Sequence, residues 1–252
     1  MAKESDIKKV TTAIKKANNI IALTGAGISV ESGIATFRGK GGLWEKYDPE
    51  EYAHIVSFIK NPDKSWIMLK EMGEQIFQAS PNKAHTSLTK LQQMGKLQCI
   101  ITQNVDNLHQ EAGSKNVIEF HGNYKTLSCI SCQKQYPFEK ERLDTIPPVP
   151  RCTCHNVLKP NVVLFGEVPP EQALIQSEKA AQACDLMLVI GTSWLIYPAA
   201  NLPIIAKKHH AKIVEINTEP TEMTNYLSDY FLKGSASQIL SSIINSYKET
   251  KE

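Results

Sequence analysis

His121, in the stretch IEFHGN, stands fifteen residues beyond Asp106 in the stretch IITQNVDNLHQEAG. An imidazole has a near-neutral reference pKa and suits general-base work. Gln103, Asn104 and Asp106 follow a short apolar run, so two amides and a carboxylate gather where a strand is expected to end. Amide, carboxylate and imidazole together can bind a carboxamide, orient a water and accept a proton. Any one of them alone also serves to cap a helix or satisfy the backbone. His85 and His109 lie in apolar helical settings and read as structural.

A glycine-rich turn supplies a second constellation. IIALTGAGISVESGIATFRG almost spells G-x-G-x-x-G, with Gly25 and Gly27 in place and Val30 where the third glycine should be. A strand ending in Gly-Ala-Gly lets the backbone approach a phosphate, and its amides favour negative charge. A dehydrogenase of this type places an acidic residue about 20 residues further on. Trp44 and Glu45 fall there, with no strand before them. GIATFRG instead presents Phe37 and Arg38. Hydride transfer has no evident use for that pair. A phenylalanine can shield a reactive sugar centre from water, and an arginine can hold a phosphate or a carbonyl.

Cysteines make the third. Cys129-x-x-Cys132 and Cys152-x-Cys154 are separated by nineteen residues. Two such pairs suit a tetrahedral Zn2+, and four protein ligands leave no open position, so a structural site is expected. The one-residue gap strains the second chelate, and His155 is an alternative ligand to Cys154. Cys99 and Cys184 sit singly among apolar neighbours and read as core.

Short apolar runs at 20–24, 99–102, 162–165, 186–190 and 213–216 must position these groups, and helical patterns separate most of them. That alternation predicts an α/β fold with a parallel sheet covered on both faces. Ligands then bind at the carboxyl ends of the strands. Residues 36–80 and 124–158 break the alternation and read as insertions forming a smaller domain. The remainder, 1–35, 81–123 and 159–252, makes the larger one. The N-terminal stretch reads as an amphipathic helix with Ile7, Val10, Ile14 and Ala17 on one face. It lacks the apolar centre of a signal peptide. No run reaches the ~18 apolar residues of a membrane span, so a cytoplasmic protein without membrane contact is expected. The net charge of +2, from 28 Lys+Arg against 26 Asp+Glu, gives no argument for nucleic-acid binding.

GAGIS…SGIATFRG, TQNVDNLH, FHGN, NVVLFGE, GTS and INTEP, in this order, resemble the sirtuins, NAD-dependent protein lysine deacylases. The likeness runs from about residue 20 to residue 236. It implies a Rossmann-like doubly wound domain for NAD, a small domain made of a helical insertion and a zinc-binding module, and acyl-lysine proteins or peptides as substrates. It implies that Gly25, Ala26, Gly27, Ser29 and Thr36 line the cofactor site, that Phe37 shields the anomeric carbon, and that Arg38 helps hold the cofactor. Gln103 and Asn104 order the ribose and a water, while Val105 and Asp106 bind the carboxamide. Thr192, Ser193 and Asn217 take the adenosine half, Gly191, Thr218 and Glu219 also bind the cofactor, and Ser235 and Ala236 lie at the adenine. His121 matches the general base, with Asn104 beside it in catalysis. Val162, Val163, Leu164, Phe165, Gly166, Glu167 and Val168 pair with the substrate backbone as an added strand. Cys129, Cys132, Cys152 and Cys154 hold the zinc. The products implied are nicotinamide and O-acyl-ADP-ribose.

Members that take negatively charged acyl groups resemble one another in a Tyr-x-x-Arg pair, where this chain offers Leu69 and Met72. No arginine occurs from 39 to 141. A carboxylate buried without a cation is costly, so acetyl or longer apolar groups are expected over succinyl. IATFRG itself is similar to the branch that includes the desuccinylases. Two other NAD chemistries stay open on the residues: mono-ADP-ribosyl transfer, and a zinc-containing oxidoreductase.

Overall fold

IIALT and LMLVI are apolar along almost their whole length, which suits strands buried on both faces. In the computed structural model, which describes residues 2–249, they are β1 (Ile20–Thr24) and β7 (Leu186–Ile190), the paired centre of the main sheet. The remaining strands are β2 (Leu97–Thr102), β3 (Val117–Glu119), β4 (Gly122–Cys129), β5 (Gln135–Pro137), β6 (Leu158–Val162), β8 (Lys212–Asn217) and β9 (Tyr230–Lys233). The main sheet runs β3-β2-β1-β7-β8-β9, every pair parallel. Two three-stranded halves therefore wind outward from β1 and β7. The chain reverses its winding between those strands, and a crevice opens outside their carboxyl ends.

Helices Glu4–Lys16, Lys83–Gln93 and Ala236–Glu249 cover one face. Ile7, Val10 and Ile14 bury there against Leu240 and Ile243, with Ala17 packed just past the helix end. Helices Glu171–Ala183 and Asn201–Lys208 cover the other, over Ile21, Ile101, Met187 and Ile213. Each fully buried aliphatic side chain contributes roughly 1.5–3 kcal/mol.

A separate core lies to one side. It joins Leu43, Phe58, Trp66 and Leu69 to Tyr124, Leu127, Phe138 and Leu158. Asn61 caps the helix Pro62–Gln78 through the Lys64 N–H, and Trp66 Nε1 donates to the Leu158 carbonyl at 3.1 Å, tying that helix to the second sheet. This sheet is antiparallel, in the order β5-β4-β6.

One strand differs from expectation. Residues 162–165 were expected to form a strand of the sequence-derived parallel set, yet β6 ends at Val162 and runs antiparallel to β4. Beyond it the backbone bonds elsewhere: Val163 N–H to the His121 carbonyl, Phe165 N–H to the Ala53 carbonyl. β3, β4, β5 and β9 are short or mix polar with apolar residues, and have no continuous apolar run to announce them.

Candidate active site

The crevice forms where two loops meet without side chains between them. A Cβ on Gly27 would lie 2.7 Å from the Gly191 Cα, and one on Gly191 would lie 2.6 Å from the Ile28 nitrogen. Gly191 also takes φ +60°, a left-handed conformation suited to glycine. β1 is followed by a 3-10 helix, Ala26–Ser32, whose Val30 points to solvent and lines the crevice. The close contact that a third glycine would allow is thus made by Gly191 across the crevice. Among the described residues, the N–H groups of Ala26, Thr192 and Ser193 meet no acceptor. Together they form a concave cluster of donors suited to an anion. On this ground the residues fit the diphosphate of a dinucleotide.

The cleft has a volume of about 960 Å³. Of the residues expected at the cofactor, all but Ser29 and Asp106 line it; Val162 through Glu167 and His121 line it too. Ser29 and Asp106 lie behind, in a narrow recess that shares Ala26, Phe37, Asn104 and Val105 with the cleft. Val168 stands outside, 79% exposed.

A buried polar network holds the recess. Asn82 N–H donates to His85 Nδ1, so His85 Nε2 is the protonated nitrogen and points to Ser29 Oγ at 3.5 Å. Ser29 Oγ donates to Asp106 at 2.6 Å, and Asp106 also accepts the Leu108 N–H. Burial raises the Asp106 carboxyl above its ordinary value; these hydrogen bonds oppose it. Asn104 Nδ2 donates to Ser29 Oγ at 3.1 Å and to the Gly25 carbonyl at 3.2 Å. Both amide protons are spent, and its carbonyl oxygen is left as an acceptor. Gln103 Nε2 reaches Thr192 Oγ1 at 3.1 Å, and Asn217 Nδ2 reaches the Thr192 carbonyl at 3.1 Å, linking the ends of β2, β7 and β8.

His121 sits half-buried after β3. Its Nδ1 lies 3.2 Å from the Gln103 carbonyl. A carbonyl only accepts, so Nδ1 carries the proton and Nε2 keeps its lone pair. Burial lowers the imidazole pKa below 6.5, partly offset by the Gln103 hydrogen bond. The ring is therefore neutral, and basic at Nε2, near pH 7.

An apolar wall faces these groups. Ala53, Met68, Leu69 and Met72 line the cleft beside an aromatic run in which Phe37 lies 5.2 Å from Trp44 and Trp44 lies 5.9 Å from Phe165. Trp44, Ala53 and Met68 carry no acid, base or nucleophile that a sequence search for chemistry would find. Glu31, which also lines the cleft, was missed likewise; it accepts Ser235 Oγ and Ser237 N–H, both at 3.3 Å.

The four module cysteines come together, with all Sγ atoms within 4.8 Å of one another and three neighbouring pairs at 3.5 Å. Tetrahedral zinc with bonds of ~2.3 Å spans edges of roughly 3.8 Å, so the donor set fits. His155 is not part of the cluster. It takes φ +66° and bonds its N–H to the Cys152 carbonyl, closing the shorter loop in a tight turn. Gln133, with φ +60°, closes the longer loop onto the Cys129 carbonyl.

A doubly wound sheet, a glycine-floored crevice and a four-thiol module define a dinucleotide-dependent protein with a metal-stapled small domain. Residues 25–198 match the model of the Sir2 family. NAD-dependent protein deacylase 1 of Archaeoglobus fulgidus is 43% identical over 94% of this chain and 96% of its own length. The solved structure of a Sir2 homolog–NAD complex superposes with a TM-score of 0.90 at 41% identity, covering 97% of this chain and 95% of that one. Sir2Af2 bound to a myristoylated histone peptide gives 0.85 at 36% identity, covering 99% of both. The chain belongs to the Sir2 family.

Proposed function

We propose that the chain is an NAD-dependent protein lysine deacylase that removes acetyl or longer apolar acyl groups and releases nicotinamide and O-acyl-ADP-ribose. The observation that carries this reading is His121, held as an Nδ1–H tautomer by the Gln103 carbonyl in the cleft wall. Bound NAD supplies the ribose carbon and hydroxyls onto which the acyl group passes. The N–H groups of Ala26, Thr192 and Ser193 hold its phosphates. Asn104 offers its carbonyl oxygen to a ribose hydroxyl or an ordered water. His121 accepts a hydroxyl proton at Nε2, a transfer that contributes ~10²–10⁴-fold. Phe37, half-buried against Trp44, excludes water from the reacting carbon.

The peptide docks by main-chain hydrogen bonds, as an added strand does. Phe165 is already paired through both its main-chain groups, its N–H with the Ala53 carbonyl and its carbonyl with the Ile55 N–H. The docking edge is therefore narrower than 162–168: Gly166 and Val168 have no main-chain partner among the described residues. Met68, Leu69 and Met72 form the acyl wall, which favours hydrocarbon and itself offers a carboxylate no cation. Sir2Af2, the relative bound to a myristoylated peptide, supports the longer-chain reading.

Incubation with NAD and acetyl-, myristoyl- or succinyl-lysine peptides, followed by mass spectrometry, tests both parts. Free nicotinamide and O-acyl-ADP-ribose with the first two peptides are expected. Reduced nicotinamide, or ADP-ribose on a protein acceptor, would replace the deacylase reading; efficient desuccinylation would overturn the acyl preference.

A further inference from the structure

The docking edge leaves the small-domain sheet through an awkward crossing. After Val162 the chain abandons β4, yet Val162 and Leu164 themselves stay buried. Lys159 reaches under this crossing with only 13% of its side chain exposed. Its ammonium donates to the Val162 carbonyl at 2.7 Å, the Pro160 carbonyl at 3.2 Å and Glu167 Oε2 at 2.9 Å. An ammonium has three N–H donors, and here three acceptors meet them. Glu167 Oε2 also accepts the Leu164 N–H at 2.8 Å, while the Glu167 N–H returns to the Leu164 carbonyl at 3.0 Å. The turn 164–167 is thereby closed from both sides. At its centre Gly166 takes φ +81°, and a Cβ there would lie 2.8 Å from the His54 ring.

We propose that Lys159 and Glu167 are positioning residues for the peptide substrate, holding the backbone at 166–168 in the geometry that receives an added strand. The inference rests on the deacylase reading of the cleft. Lys159 touches neither the dinucleotide floor nor the acyl wall; it acts through the carbonyls that set where β6 stops and through the carboxylate that folds the turn. Glu167 lines the cleft, but its Oε2 is engaged by Lys159 and Leu164, so its work is to shape the edge. Peptide binding depends on this pair, and NAD binding does not.

Steady-state kinetics of Lys159→Met, Lys159→Arg and Glu167→Gln, with melting curves in parallel, test it. Misplacing two main-chain hydrogen bonds costs about tenfold in affinity. Lys159→Met is therefore expected to raise KM for an acetyl-lysine peptide about tenfold, with KM for NAD within about twofold. Lys159→Arg restores most of the peptide KM. Glu167→Gln keeps an acceptor for the Leu164 N–H and gives a smaller rise in the same parameter. If Lys159→Met does not fold, Glu167→Gln decides the matter alone. A folded Lys159→Met, or a Glu167→Gln, with wild-type peptide KM overturns the inference while leaving the deacylase reading standing. A lowered melting temperature with both KM values raised together likewise overturns it, as a merely structural role. Wild-type protein that leaves NAD and peptide intact defeats the underlying reading instead.

Discussion

The Gln103 carbonyl fixes which nitrogen of His121 is free, and on that the proposed general-base role depends. His121→Ala is expected to lower deacylation by about 10²–10⁴-fold while melting close to wild type, as checked by turnover and calorimetry. Because burial lowers its pKa, half-protonation of the free enzyme falls below pH 6.5. The acidic limb of kcat/KM should accordingly fall at a pH under 6.5, measurable in a pH–rate profile. A second residue-scale role belongs to Tyr136, whose hydroxyl lies 3.2 Å from Cys152 Sγ and accepts the Thr153 N–H at 3.2 Å. A thiolate has no proton to give, so the phenol donates to the sulfur once Cys152 is deprotonated. Tyr136→Phe is expected to weaken zinc retention about 10–100-fold, read by chelator competition. His121 and the four cysteines were legible in the sequence, since their chemistry is scarce and their spacing narrow. Tyr136 was not, because nothing local to it signals a partner sixteen residues away.

At the scale of elements, the crevice depends on two backbones touching. Gly27→Ala forces a methyl onto Gly191 at 2.7 Å from backbone that cannot yield. It should cost several kcal/mol of stability, on the order of an overpacked core site or more, and abolish NAD-induced stabilisation in a thermal-shift assay. Buried parallel strands were readable as apolar runs, and β1, β2, β7 and β8 lie where such runs fall. β4 and β6 were not. Both mix fully buried with partly exposed positions in short runs, and β6 carries Pro160, so its pairing is set by tertiary contact with β4 and not by its own pattern. Val30 stands where the fingerprint would place its third glycine. The sequence held no local sign that Gly191, far along the chain, supplies the close approach instead.

For the molecule as a whole, two imidazoles are buried behind the recess. Burial pulls His85 down to about 4; burial, with His85 beside it, pulls His109 down to about 3. His109 Nε2 meets Thr24 Oγ1 at 3.0 Å, and its Nδ1 has no partner among the described residues. Both rings fold neutral, while the unfolded chain takes up protons near pH 6.5. Their contribution is thus intact above that value, declines as pH falls from 6.5 toward 4, and is lost below the folded values. Melting temperature should drop across that window, and His109→Gln should flatten the drop. Among the described residues no helix is long and apolar enough to cross a membrane.

Trp44 joins the loop that carries Phe37 to the turn that carries Phe165. The other two indoles, Trp66 and Trp194, are buried away from solvent. The protein therefore contains its own optical gauge. Filling the cleft with a myristoylated peptide should dry the Trp44 ring and move its fluorescence to shorter wavelength, a shift absent in Trp44→Phe. Titrating that signal would report ligand binding without any turnover.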